Sequence, residues 1–374
     1  MKKIIYFYIV YSFFAILSNM SHPITPQLFN ELHFSSTTYG NSFALMAFFN
    51  FVASLLWAKL IRYLGANKIL TLSFIGYAFA QFLFLKTNGS TLLFLSRSLA
   101  GIFMGGLMVS SLSYLLSVSS NVMYLSIYSM IQTVGSSIGY FIGGYCGRNN
   151  YHMTFYIQII GCIIASLFSY FLLEKTKQKE TKTITKKETK GLSKTFILFL
   201  SIVFLTSLGY FMWDNWLNYY LMHHYQFTSD YIGYYKLAIA SVSLASNMIL
   251  IFFLSRYRYM LVVVLSGCSV MLILSYFQNT LSMFLMFTLL FIMFSVLFLP
   301  LQQNQLRLHK EISVSKQSGL FNSVRALGMM IGPMLVGMLY GIKDTLSLVM
   351  IIISFLLASF LCMIYFYKEK DYGK

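Results

Sequence analysis

Apolar residues in this chain run on for about twenty positions at a time, then stop at short polar connections. A helix rises 1.5 Å per residue, so about 20 apolar residues cross the ~30 Å hydrocarbon core of a bilayer. Twelve such runs follow one another, at 4–22, 39–57, 69–86, 91–117, 123–146, 152–173, 195–222, 231–254, 259–277, 280–300, 317–341 and 345–367. Each predicts a transmembrane helix, and together they predict an all-α membrane protein. One connection is long. Glu174 to Lys194 holds eight lysines, three glutamates and several threonines with no apolar periodicity. It reads as a basic cytoplasmic linker held at an anionic membrane surface. It separates six spans in 1–173 from six in 195–374.

Composition agrees. The 374 residues are 58% hydrophobic and 10% charged, where a soluble protein has about 25% charged residues. Mean hydropathy is +0.70. The net charge of +17 suits nucleic acid in principle, but its placement points to the bilayer. With the N-terminus inside, Lys2, Lys3, Lys59, Arg62, Lys68, the linker lysines, Arg256, Arg258, Arg307, Lys310, Lys316, Lys368, Lys370 and Lys374 all fall on the inner side. The outer loops keep only Lys86, Arg148 and Lys343, and the spans hold Arg97, Lys236 and Arg325. This asymmetry predicts both termini in the cytoplasm and a multi-pass protein of the cell membrane. Met1-Lys2-Lys3 before a long apolar run, with no small-residue cleavage site, reads as an uncleaved first helix.

The chemistry of an enzyme is missing from the pattern. No nucleotide-binding loop and no paired nucleophile and base appear, which argues against catalysis and ATP-driven transport. Cys146, Cys162, Cys268 and Cys362 lie in or beside apolar runs without metal or disulfide spacing. His22, His33, His152, His223 and His224 gather at the outer side with no further ligand of suitable spacing. Neither a metal nor a cofactor is expected.

The two halves repeat. Gly135, Gly139 and Gly144 parallel Gly328, Gly332 and Gly337 at an offset of 193 (135 + 193 = 328). Phe34-Ser-Ser-Thr-Thr-Tyr-Gly40 parallels Phe227-Thr-Ser-Asp-Tyr-Ile-Gly233 at the same offset. Span 1 is thereby matched with span 7, and span 5 with span 11. Parallel repeats of this kind build transporters whose substrate site lies at the repeat interface. Glycines four apart on one helix face let two helices approach closely.

One acidic residue falls within a span. Asp214 lies in Tyr210-Phe-Met-Trp213-Asp214-Asn215-Trp216-Leu-Asn218 of span 7. A carboxylate at membrane depth costs roughly 2.5–3.5 kcal/mol, so it is a functional candidate by default. The alternative is a position in the interface near the helix end. Its repeat equivalent is Ser21 (214 − 193 = 21), so the acid belongs to one half only. Arg97 in span 4 either faces the interior or snorkels to the outer surface.

These features resemble the major facilitator superfamily, and within it bacterial drug:proton antiporters of the quinolone and multidrug efflux type. Span 5 is similar to the antiporter signature through Gly135, Gly139, Gly143 and Gly144, with Tyr140 where the family has proline; span 11 adds Pro333 beside Gly332. Arg97 with Gly101 resembles the span 4 pattern. Pro23-Ile-Thr-Pro26 resembles the paired prolines that bend or end span 1. Ser207-Leu-Gly209 and Trp213-Asp214 resemble span 7. Two places depart. The loop after span 2 keeps Leu60, Gly65 and Leu70 but has Arg62 where the family has an acid, and Ser295 in span 10 stands where many relatives carry a second acid.

The resemblance implies twelve transmembrane helices in two pseudo-symmetric six-helix bundles, with spans 1, 4, 7 and 10 lining a cavity. It implies a monomer that moves a small-molecule substrate and protons across the lipid bilayer by alternating access. Asp214 and Arg97 would carry proton coupling. Trp213, Asn215, Trp216, Asn218, Asn19, Met104, Met108 and Ser295 would contact substrate. The expected function is proton-coupled efflux of amphipathic cations. The alternatives are a specific sugar, peptide or metabolite transporter and, from another class, a non-transporting receptor or assembly partner.

Overall fold

A computed structural model describes residues 2–34, 36–118, 122–147, 150–174, 192–227, 229–249, 259–309, 312–340 and 343–372. The linker expected between Glu174 and Lys194 falls largely on 175–191, and the end of span 8 on 250–254; both lie outside the described residues.

Thirteen helices are formed among the described residues: α1 Lys2–Leu17, α2 Thr25–Glu31, α3 Ser36–Leu64, α4 Ala66–Leu85, α5 Ser90–Val118, α6 Val122–Gly147, α7 Tyr151–Leu172, α8 Lys194–His224, α9 Ser229–Ile249, α10 Met260–Tyr276, α11 Leu281–Leu306, α12 Val314–Tyr340 and α13 Asp344–Tyr372. All but the short α2 correspond to the twelve apolar runs, and the protein is an all-α membrane protein. Among the described residues, eight helices are long and apolar enough to cross a bilayer by length and composition alone.

On α7 small and polar residues are brought inward beside apolar ones: the buried stripe is Tyr151, Thr154, Phe155, Gln158, Cys162, Ala165, Ser166 and Ser169, whereas Met153, Tyr156, Ile160, Ile163, Leu167 and Tyr170 are exposed. Both stripes repeat at three to four residues, one helical turn. In hydrocarbon the apolar face needs no partner, so the polar face turns inward, where Gln158 donates to Leu17 O at 2.5 Å and Thr154 to Gly143 O at 2.9 Å.

Helix ends differ from the apolar runs for local reasons. The run 4–22 stops being helical at Leu17, before Pro23. Proline cannot donate to the carbonyl four residues back, and the backbone tightens into three-residue turns, Asn19 N to Ile16 O and His22 N to Asn19 O. Conversely α3 continues past the apolar run, through Lys59 and Arg62, to Leu64. Gly65 then makes the sharp turn into α4 with φ 86°, a left-handed conformation that suits glycine. Helix α11 passes through Pro300 and continues to Leu306.

The chain forms two compact units. One comprises Met1–Ser120, Ile131–Glu188 and Lys310–Ala326; the other comprises Asn121–Met130, Thr189–His309 and Leu327–Lys374. In the first, α5 packs against both α3 and α4, and glycines permit this on both sides. A Cβ at Gly101 would overlap the Met46 carbonyl of α3, and one at Gly106 would overlap Ser73 of α4.

The span 5 glycines lie against α1. A Cβ at Gly135 would stand 2.5 Å from Ala15 Cβ, and at Gly139 and Gly143 it would overlap the carbonyl oxygens of Ile16 and Met20. The second unit repeats the seam between α12 and α8. A Cβ at Gly328 would come 2.7 Å from Leu208 N and at Gly332 3.1 Å from Met212 N. Two contacts obey the sequence offset: Ala15 at Gly135 corresponds to Leu208 at Gly328 (15 + 193 = 208), and Asn19, whose Cβ is 3.3 Å from a Cβ at Gly139, to Met212 at Gly332 (19 + 193 = 212); the Ile16 contact does not recur at its equivalent Gly209 (16 + 193 = 209). The third contact does not repeat: Gly143 becomes Val336 (143 + 193 = 336), which is fully buried. Gly144 and Gly337 lie off the seam, with Pro23 Cβ at 3.8 Å from a Cβ at the former and nothing within 4 Å at the latter.

Below α11, His309 is 6% exposed. Its ring sits 4.9 Å from Phe196 and 5.7 Å from Phe199, and Nε2 is 3.1 Å from Tyr365 Oη. Burial among these rings pushes its pKa down to about 4, because the charged imidazolium is disfavoured there.

Two predictions follow from these contacts. Gly139→Ala puts a methyl onto backbone and should lower the melting temperature of the purified protein by several degrees, a cost of about 1–3 kcal/mol. Gly144→Ala should leave it unchanged or raise it, since alanine favours the helix by about 1 kcal/mol. For His309 the unfolded chain binds a proton near pH 6.5 and the folded chain only near pH 4. Stability should therefore fall as pH drops through that window, by at most about 1.4 kcal/mol per pH unit from this group. Melting of His309→Phe measured from pH 7 to 4 should show a shallower decline than wild type.

Candidate functional site

In the second unit the span 7 motif is carried by one unbroken helix. Ser193 starts it, its hydroxyl accepting from Phe196 N at 3.2 Å. Asp214 lies ten residues before His224, about 15 Å of helix rise from that end. The 3.6-residue period splits the motif into two faces. Met212, Trp213, Trp216 and Leu217 are buried, while Tyr210, Phe211, Asp214 and Asn215 are half-buried. Asp214 and Asn215 thus share the more accessible face. Asn215 Nδ2 donates to Phe211 O at 2.9 Å.

The tryptophans occupy the other face. Trp213, 1% exposed, lies 4.8 Å from Phe291 of α11 and 6.2 Å from Tyr210. Phe291 in turn meets Phe355 of α13 at 5.4 Å. Trp216 stacks on Tyr220 at 4.7 Å and meets Phe284 at 6.2 Å. These rings wedge α8 against α11 inside the unit. The indole N–H of Trp213 is buried without a hydrogen-bond partner, a state that costs about 1–3 kcal/mol. Ser295 is buried and bonded to its own helix at Ile292 O, 3.3 Å. Asn218 lies on α8, and its side chain is outside the described residues.

Polar groups further along α11 had no place in the sequence reading, which ended the span at Pro300. Gln302 is fully buried and donates from Nε2 to Thr206 Oγ1 at 2.9 Å, while the side-chain oxygens of Gln302 and Gln303 have no partner. The signal was the run Gln302-Gln303-Asn304-Gln305 directly after an apolar stretch.

In the first unit Arg97 does not reach the surface; it is 2% exposed. Its guanidinium lies 3.8 Å from the Phe84 ring of α4 and 4.9 Å from the Phe43 ring of α3. Phe43 is stacked on His22 at 5.7 Å, and His22 on Tyr140 at 5.6 Å. Tyr140, the departure from the family's proline, is therefore one end of a ring stack that leads to the buried cation. A cation over desolvated aromatic faces gains about 2 kcal/mol. Met104 and Met108, one turn apart on the same helix, are half-buried.

Asn19 belongs to a hydrogen-bonded seam between α1 and α6. Its Nδ2 reaches Ser136 Oγ at 3.0 Å and Ala15 O at 2.9 Å. Gln132 Nε2 reaches Ser136 at 3.3 Å and Gln132 accepts from Tyr11 Oη at 2.6 Å. A second polar set was also missed. Asn322 at the start of α12 donates to Asn50 Oδ1 at 3.0 Å and Ser54 Oγ at 2.6 Å, and Ser323 to Phe51 O at 2.9 Å. The signal was Asn50 and Ser54, four apart on one face of an apolar helix. Arg325 follows on α12, 5.9 Å from the Phe321 ring.

Among the described residues, the second unit holds a half-buried carboxylate beside aromatic surface, and the first unit separately holds a buried arginine among rings. The family model of the Major Facilitator Superfamily matches residues 7–333. The chain is 23% identical over 219 residues to multidrug resistance protein 1 of Bacillus subtilis, over 56% of each chain. It is 26% identical over 184 residues to the class H tetracycline resistance protein of Pasteurella multocida, covering 48% of this chain and 46% of that one. The chain thus spans about half the length of these relatives. Among solved structures, the transporter FucP in its outward conformation superposes with a TM-score of 0.80 at 12% identity, over 97% of this chain and 98% of that one. At that identity the likeness is one of fold. Two repeated glycine seams, the all-helical fold and a family match over most of the length lead to one conclusion: this chain belongs to the Major Facilitator Superfamily.

Proposed function

We propose that the protein exports amphipathic cations in exchange for protons by alternating access, with both termini in the cytoplasm, in the cell membrane and as a monomer. Asp214 carries the proposal. It is half-buried within a span, on the same helix face as Phe211 and Asn215, where its charge has to be repaid by function. The resistance proteins matched above support a drug as cargo. In this reading the deprotonated carboxylate holds the cation and the protonated one releases it. The rings of Tyr210 and Phe211 add attraction for a flat cation, and the unpartnered N–H of Trp213 becomes satisfied in another conformation or by substrate. Arg97 assists the coupling from its ring stack, while Asn19, Met104, Met108, Asn215, Asn218, Trp216 and Ser295 contribute to the cavity or its walls. The linker 174–194 joins the bundles 1–173 and 195–374. Exchange of one proton for one monovalent cation moves no net charge, so the pH difference drives the cycle, with about 1.4 kcal/mol per pH unit.

Asp214→Asn tests the mechanism. It preserves size and removes the titratable group. In proteoliposomes the variant should lose at least tenfold of its pH-driven transport of a lipophilic dye cation while still folding, as judged by melting temperature. Undiminished, proton-dependent transport by Asp214→Asn would sink the mechanism and leave the family assignment intact.

A further inference from the structure

A cavity of about 390 Å³ opens at one end of the first unit, lined by Asn67, Lys68 and Thr71 of α4 and by Tyr170, Phe171 and Leu173 at the end of α7. Its floor is polar and incompletely bonded. Asn67 is 7% exposed. Its Nδ2 reaches only as far as Leu173 O, at 3.5 Å, and its Oδ1 is buried with no hydrogen-bond partner. Thr71 Oγ1 lies 3.0 Å from both Asn67 O and Ser169 Oγ, so the floor is held in place by α4 and α7 together. A buried carbonyl oxygen in that position wants a donor, and none of the lining side chains supplies one.

The rim has a different character. Lys68 is exposed, in the first turn of α4, which begins at Gly65 without a side-chain cap. The start of a helix carries partial positive charge and favours anions. Lys59 and Arg62 close the preceding helix, and Lys3 and Glu174 form an ion pair of 2.5 Å beside Leu173. This end is basic. On the other side Tyr170 and Phe171 are 64% and 74% exposed, their rings 5.2 Å apart. Exposed aromatics next to a lysine at the end of a membrane helix mark the level where acyl chains give way to headgroups.

We propose that this cavity binds an anionic glycerophospholipid whose headgroup carries a hydroxyl, of the phosphatidylglycerol type. The phosphate sits at Lys68 and the start of α4, an acyl chain runs along Tyr170 and Phe171, and the Asn67 amide, held only by its 3.5 Å contact to Leu173 O, turns so that its buried Oδ1 accepts from a headgroup hydroxyl. A choline headgroup has no donor for Asn67, and free phosphate has no chain for the two rings. The site lies within one unit and is independent of the transport mechanism.

Delipidated protein in neutral detergent tests it by melting temperature, with phosphatidylglycerol, phosphatidylcholine and inorganic phosphate as separate additions. Phosphatidylglycerol should raise the wild-type melting temperature by several degrees, and the other two should not. Lys68→Gln, an exposed change, and Asn67→Leu should each reduce that rise by at least half, whatever their starting stability. An equal rise with phosphatidylcholine would overturn the site's selectivity. A rise with phosphate alone would make it an anion site and not a lipid site. A full phosphatidylglycerol response in Lys68→Gln would remove the assignment altogether.

Discussion

Backbone must meet backbone for helices to hold together where the solvent is hydrocarbon. Leucine gains nothing by leaving lipid for another leucine, so association rests on close packing and on hydrogen bonds between helices. The glycine seams are that constraint made visible. Gly135, Gly139 and Gly143 bring α6 onto the main chain of α1, and Gly328 and Gly332 bring α12 onto α8. Gly101 and Gly106 set α5 between α3 and α4 in the same way. Each seam places the first helix of its half, α1 with Asn19 just beyond its end or α8 with Asp214, against a partner that cannot be moved away without loss of packing.

The repeat is close but not perfect, and its breaks coincide with the candidate chemistry. The third glycine contact is with Met20; the offset carries these two positions to Val336 (143 + 193 = 336) and Trp213 (20 + 193 = 213), both buried. A valine and an indole stand where the first half has a glycine on bare backbone. The next residue is Asp214, opposite Ser21 in the repeat. The second half has therefore exchanged a tight backbone contact for aromatic bulk at the very turn where it carries an acid. The second unit thus has buried indoles on one face of α8 and the acid on another, while the first has the hydrogen-bonded seam of Asn19, Ser136, Gln132 and Tyr11.

Much of the fold was legible because a bilayer imposes a length on apolar runs and because glycine spacing carries the packing directly. The twelve helices and the 193-residue offset come from these two facts. Helix ends were less so. The apolar run through His22 does not reveal that Pro23 unwinds the helix back to Leu17, and Lys59 and Arg62 hide the continuation of α3, since charged residues can extend a helix beyond the hydrocarbon. The site was legible as a motif and not as an arrangement. Trp213, Asp214 and Trp216 are adjacent in sequence, but a helix turns 100° per residue, so the indoles wedge the interior while the acid faces elsewhere. Side chains that meet across helices, such as Asn322 with Asn50 and Ser54, or Gln302 with Thr206, leave only a faint polar mark on each apolar run. Which marks belong together is a property of the packing.

The account rests finally on a proton gradient doing work on a cationic solute. Purified protein in liposomes that are acidic inside, given a lipophilic aromatic cation outside, measures this directly. Uptake should exceed the equilibrium level several-fold and should collapse when a protonophore dissipates the gradient. Uptake that matches protein-free liposomes, or that proceeds equally with the gradient abolished, would contradict proton-coupled transport of such cations by this protein.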